Sequence, residues 1–209
     1  AGGAQFVGTG THSKVGVVGS VVMSSIIDYT DRATCVLFGD GAGAALLEPA
    51  GADEVGLIDS ITRTDGSGGK YLYMPGGGSL NPPSHETVDQ KMHYVHQEGR
   101  QVFKFAVTEM TAVSEEILKR NHLTPADIKL YVPHQANMRI ISACGERVGF
   151  SDEQVIVNIQ KFGNTTSATI PICLCEASAE GRIRKGDYIL LASFGAGFTW
   201  GSTLLRWEI

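Results

Sequence analysis

Two side chains occupy stations where an α/β protein carries its chemistry. His134 follows the apolar run 130–132 and precedes a helical pattern. It therefore belongs at the C-terminal end of a strand, where open α/β sheets place their ligand sites. Asn164, within Phe162-Gly163-Asn164-Thr165-Thr166-Ser167, takes the same station after the next predicted strand. Adjacent parallel strands lie about 5 Å apart, so the two side chains are expected near one another. Alone, the histidine reads as a helix-capping residue and the asparagine as an N-cap. Together they make a donor pair for an enolate or oxyanion, because neutral N–H groups stabilise developing negative charge without a resting ion pair.

Other patterns carry less. Gly39-Asp40-Gly41-Ala42-Gly43-Ala44 satisfies the G-x-G-x-x-A of dinucleotide-binding turns. That motif must open a helix, and Pro49 follows too closely to leave room for one, so a tight strand-to-strand turn is expected. His93 and His96 are three apart at a predicted helix start, but no third ligand of matching pattern is nearby and no metal is expected. Cys35, Cys144, Cys173 and Cys175 show neither a C-x-x-C pair nor a disulfide framework. Cys173 and Cys175 fall on different faces of a predicted helix, and the four read as buried structural thiols in a reducing cytoplasm.

The elements that would position these residues alternate from about residue 55. Strands are predicted over 55–63, 129–132, 155–158, 188–194 and 199–207, with a Gly/Pro/Ser-rich loop over 64–88. One predicted helix carries Phe103, Val107, Met110 and Ile117 on one face, and others cover 137–147 and 166–180. The order β-α-β-α-β-α-β-β implies a mainly parallel sheet covered by helices, with a final antiparallel strand. Ahead of it lie a helix end up to about residue 11 and strands over 14–23 and 44–48. Two F-G-x-G turns, at Phe38 and Phe194, are separated by about the length of the second unit, so the chain reads as two copies of one fold. Residues 1–50 would end the first copy and residues 51–209 form the second. On that comparison roughly a hundred residues are missing at the front, and the chain is expected to be a fragment.

Composition bounds the function class. Of 209 residues, 43% are apolar and 19% charged, against an average of about 25% charged, which excludes a disordered chain. With 17 basic and 22 acidic residues the net charge is −5, unlike a general binder of nucleic acid or anionic membrane. No apolar run approaches the ~18 residues of a membrane span, and no signal-like segment opens the sequence.

The run Val132-Pro133-His134-Gln135-Ala136-Asn137-Met138-Arg139-Ile140 resembles the histidine motif of the 3-oxoacyl-[acyl-carrier-protein] synthase III family. Gly163-Asn164-Thr165-Thr166-Ser167-Ala168 resembles its asparagine motif. Asp31-Arg32 with Leu37-Phe38-Gly39-Asp40-Gly41-Ala42-Gly43-Ala44, then Val102-Phe103-Lys104, and Phe194-Gly195-Ala196-Gly197-Phe198-Thr199-Trp200-Gly201 follow in family order. The resemblance implies a thiolase-like α/β fold: a complete C-terminal β-α-β-α-β-α-β-β unit plus the tail of an N-terminal one. It implies a condensing enzyme that joins acetyl-CoA, or another acyl-CoA, to malonyl-acyl-carrier protein with loss of carbon dioxide. On the same basis His134 and Asn164 are the decarboxylation pair, the Ala196 N–H belongs to the oxyanion hole, and Phe194 packs beside the histidine. Arg32, Gly99, Phe103, Ala106 and Asn137 would bind coenzyme A, and Lys104 and Arg139 the acidic carrier protein. No cofactor beyond the coenzyme A thioesters is implied, and a cytoplasmic homodimer is. Family members carry a nucleophilic cysteine just upstream of the region matched here, and none of the four cysteines has that context. A non-catalytic thiolase-fold subunit that binds acyl-CoA or dimerises, or a polyketide-type condensing enzyme, is the alternative.

Overall fold

The computed structural model describes residues 2–51 and 56–208. They form α1 (Gly2–Gly8), β1 (Val15–Val21), β2 (Gly41–Leu47), β3 (Leu57–Thr64), β4 (Leu72–Tyr73), α2 (His85–Asp89), β5 (His96–Gln97), α3 (Gly99–Arg120), β6 (Ile128–Pro133), α4 (Met138–Val148), α5 (Ile159–Phe162), α6 (Thr169–Ala179), β7 (Tyr188–Gly195) and β8 (Thr199–Arg206). None of the described helices is long and apolar enough to cross a membrane.

β7 is apolar on both faces, and such a strand needs cover on each side. Leu190, Ala192 and Phe194 join Tyr131 and Leu204 against α3 and α4. Ile189 packs with Leu130 and Val132 against Cys173 and Ala177 of α6. The sheet is thus sandwiched between helices, in the expected α/β class. α3 suits its place because Val102, Ala106, Met110, Val113 and Ile117 recur at three- and four-residue spacing and are all buried. Lys119 and Arg120 in its last turn complement the negative end of the helix dipole. α4 starts on Asn137, whose Oδ1 accepts the Arg139 N–H at 2.9 Å, and stops at Gly149, φ 97°, a left-handed conformation that a Cβ disfavours.

The sheet order is β3-β8-β7-β6. β3, β6 and β7 run one way and β8 runs against them, as the element order implies. The expected pairing is corrected, however. β7 turns straight into β8, a connection too short for a parallel crossover, so β8 lies beside β7 and separates it from β3. Only β6 and β7 pair in parallel among the described strands, and the sheet is mixed. Residues 155–158 form no strand either. Val155 makes a single parallel bridge to Tyr131, and the chain then leaves the sheet, with the Asn158 N–H donating to Gln135 Oε1 at 3.0 Å.

Further expectations need adjustment. The strand expected from Val55 is β3, and Val55 itself lies outside the described residues. The 64–88 segment contains a 3-10 turn (Gly66–Tyr71), β4 and most of α2. His96 lies in β5 and not at a helix start, because α3 begins only at Gly99. Cys144 and Cys173 are buried, but Cys35 is half-buried and Cys175 exposed. The two-residue helical offset explains that contrast between Cys173 and Cys175.

β1 and β2 form a separate antiparallel pair, in which Gly41 and Gly43 lie inside β2 opposite Val21 and Gly19. The expected turn at these glycines is therefore a strand. The glycines here answer close packing: a Cβ at Gly43 would sit 2.8 Å from the Pro171 ring, and one at Gly39, just ahead of β2, would overlap the Phe162 carbonyl oxygen.

Candidate active site

His134 continues the β6 ladder by one residue, its N–H donating to the Ala192 carbonyl at 2.8 Å. The next side chain, Gln135, is fully buried. Its Nε2 donates to the Pro133 and Ile156 carbonyls at 2.8 and 3.2 Å, while its Oε1 accepts the Asn158 N–H. This clamp fixes the turn that carries His134. The imidazole is 8% exposed, and its Nδ1 lies 2.7 Å from Thr169 Oγ1. Burial pushes its pKa down to about 4, so the ring is neutral near pH 7.

Asn164 is placed differently from the expectation. It does not end a sheet strand. Instead it follows α5 through Gly163, whose φ is 69°. It then bridges in parallel to Phe38, taking the Leu37 carbonyl at 2.8 Å and accepting the Gly39 N–H at 3.0 Å. The segment before β2 therefore holds the asparagine in place. Its Oδ1 accepts the Thr166 N–H at 2.9 Å, which leaves the Nδ2 group to donate. Thr166 itself has φ 44°, uncommon for a β-branched residue and tolerated here within this turn.

His134 and Asn164 line one cavity of about 450 Å³, together with Phe194, Ala196 and Ala106. The structure thus brings the two side chains to one cavity, on a different scaffold from the expected one on the asparagine side. No Asp, Glu, Lys or Arg is among its described lining residues. An uncharged, largely apolar wall strengthens each hydrogen bond donated into it. Phe194 is buried and packs at a tilt on Phe198 beyond the β7–β8 turn, ring centroids 4.8 Å apart, while Ala196 is exposed at that turn.

The remaining expected site residues lie outside the cavity lining. Gly99 opens α3, Asn137 caps α4, and Arg32 is exposed ahead of β2. Arg139 lies over the Phe103 ring at 5.0 Å, joining α4 to α3. Lys104 is exposed on α3. His93 Nε2 is 2.9 Å from Thr87 Oγ1, and His96 meets the Tyr73 ring at 5.2 Å. Among the described residues no group of three or more His, Cys, Asp or Glu could hold a metal ion. None of the four cysteines lines the cavity. Burial pushes the Cys144 and Cys173 thiols up to about 11 and about 12, away from thiolate chemistry. Sequence reasoning missed Gln135 and Thr169. A fully polar side chain directly after the histidine was the available signal for the first, whereas the second needs the tertiary structure.

Residues 2–66 match the family model described as 3-oxoacyl-[acyl-carrier-protein (ACP)] synthase III, and residues 118–207 match its C-terminal counterpart. The chain belongs to this synthase III family. It is 59% identical over 206 residues to the beta-ketoacyl-[acyl-carrier-protein] synthase III of Koribacter versatilis, covering 98% of this chain and 62% of that one. The Solibacter usitatus enzyme of the same name is 57% identical, with the same shares covered. The chain therefore spans about 62% of the length of these synthase III relatives. Among solved structures, the Thermus thermophilus synthase III is 42% identical with a TM-score of 0.89, over 99% of this chain and 63% of that one. A priming ketosynthase of a polyketide pathway is 31% identical with a TM-score of 0.87, over 99% and 60%. The fold is the thiolase-like α/β architecture of these structures.

Proposed function

We propose that this chain works in a condensing enzyme that joins an acyl group from acyl-CoA to malonyl-acyl-carrier protein, releasing carbon dioxide and giving 3-oxoacyl-acyl-carrier protein. The observation that carries this reading is the convergence of His134 and Asn164 on one uncharged cavity, each held by its second polar atom. When the malonyl C–C bond breaks, its electron pair moves onto the thioester oxygen as carbon dioxide leaves. The His134 and Asn164 N–H groups stabilise that enolate. The carbanion then attacks the acyl thioester carbonyl, whose oxygen meets the Ala196 N–H, and the thiolate leaves.

In the same proposal Arg32, Gly99, Phe103, Ala106 and Asn137 contact coenzyme A, and Lys104 and Arg139 meet the acidic carrier protein. Homodimerisation, and the division into 1–50 and 51–209 as halves of one repeated unit, belong to it as well. The thiol that carries the acyl group is none of Cys35, Cys144, Cys173 and Cys175, so we assign it to family sequence beyond these 209 residues. The absence of a cysteine from the described cavity lining favours a second reading, a thiolase-fold acyl-CoA-binding subunit without condensing activity.

The test compares His134→Ala with wild type in the full-length protein. Malonyl-thioester decarboxylation should fall by about 10²–10³, with acyl transfer from acyl-CoA to the thiol retained. Equal loss of both steps would refute the donor role, and a wild-type protein without either activity would favour the binding subunit.

A further inference from the structure

Thr169 opens α6 with its hydroxyl between an imidazole nitrogen and a carbonyl oxygen. Oγ1 is 2.7 Å from His134 Nδ1 and 2.9 Å from the Thr166 carbonyl oxygen. A hydroxyl has one proton to give, and its choice decides the state of the imidazole. If the proton goes to Thr166, His134 must carry its own on Nδ1, and Nε2 meets the cavity as a lone pair. If it goes to Nδ1, Nε2 keeps an N–H. The distinction matters because burial keeps the ring neutral, with a single N–H.

Two observations favour the second state. The Thr166 carbonyl already accepts the Thr169 backbone N–H, so it is satisfied without the hydroxyl. The contact to Nδ1, at 2.7 Å, is the shorter of the two that the hydroxyl makes, so its one proton is placed there and the 2.9 Å contact to the Thr166 carbonyl is left without one. We propose that Thr169 is a positioning residue that sets the His134 tautomer: its hydroxyl donates to Nδ1 and holds the imidazole proton on Nε2, where it joins the Asn164 Nδ2 group as a second donor. Its use in catalysis rests on the enolate-stabilising role proposed above. The tautomer itself does not.

The experiment uses the full-length protein with ¹⁵N-labelled histidine, and long-range ¹H–¹⁵N spectra in which His134→Gln identifies the His134 signals. Wild type and Thr169→Ser should show the Nε2–H form. Thr169→Val should move the population toward Nδ1–H, and Thr169→Ala does the same if the valine variant fails to fold. An Nδ1–H wild type, or hydroxyl-free variants with the wild-type tautomer, would overturn the proposal. In parallel, malonyl-thioester decarboxylation should lose about tenfold in kcat in Thr169→Val, with KM little changed and serine restoring the rate. A shifted tautomer with undiminished decarboxylation would sustain the Thr169 assignment and remove the donor role of His134.

Discussion

Two antiparallel strand pairs, β1–β2 and β7–β8, have similar registers and opposite surroundings. In β7–β8, Ile189, Leu190 and Leu204 are fully buried, because α3 and α6 close over the two faces of the sheet. In β1–β2, Val18 is 69% exposed and Leu46 61%, although these residues are as apolar as their counterparts. Strand pairing satisfies the backbone in both places. Burial depends on the helices that stack on the strands, and within this structure β1–β2 receives them on one side, from the short α1, the start of α6 and the turn before it. The connections differ as well. Residues 196–198 join β7 to β8 and carry Ala196 into the cavity, whereas residues 22–40 join β1 to β2 and hold Asn164. Both pairs therefore serve one site through the loops that leave them.

The comparison makes a graded set of expectations. Ile117→Ala, in the α3 stripe over β7–β8, should cost about 2–5 kcal/mol in urea denaturation, since the surrounding core cannot collapse onto the lost volume. A cost near zero would mean that this core is looser than its burial implies. The next effect is linked to pH. His134 falls from an ordinary 6.5 to about 4 on folding, so between those values the unfolded chain binds a proton that the folded chain does not. Stability should therefore drop as pH falls through that window, by about 3 kcal/mol in all, and His134→Gln should remove that part of the slope. Asp28, held near 2 chiefly by its hydrogen bond with Lys91, adds a separate loss only at lower pH. An unchanged slope in His134→Gln would count against a buried neutral imidazole.

Smaller effects are expected where the two regions meet and on the open face. Gly39→Ala would drive a Cβ into the Phe162 carbonyl and should cost about 1–3 kcal/mol. It should also loosen the Asn164 bridge, visible as slower decarboxylation without loss of secondary structure by circular dichroism. Wild-type behaviour would show that the hairpin can retreat from the asparagine turn. Val18→Ala should change stability by no more than about 0.5 kcal/mol. A larger cost would mean that the Val18 face is covered in the working protein, and the contrast between the two strand pairs would then disappear.

Much of the fold is legible because its signals are local. The α3 stripe, the Asn137 cap with the Gly149 stop, and the β7–β8 turn all follow from spacing and residue type. The 155–158 segment misled because a short apolar run says nothing about its neighbours. Its hydrogen-bonding groups are engaged by Tyr131 for one bridge only and then by the Gln135 side chain. The G-x-G run misled in another way: glycine marks both turns and close approaches, and only the packing on Phe162 and Pro171 tells them apart.

Residue type and order alone determined the α/β class, the placement of His134 at a strand end, and the resemblance that joins it to Asn164. These depend on periodicity and on motifs a few residues long. The tertiary structure decided that β8 separates β3 from β7, that the segment before β2 holds Asn164, and that Thr169 reaches Nδ1. Each of those contacts joins residues far apart in the chain, and no local pattern encodes which distant group will supply a given hydrogen bond.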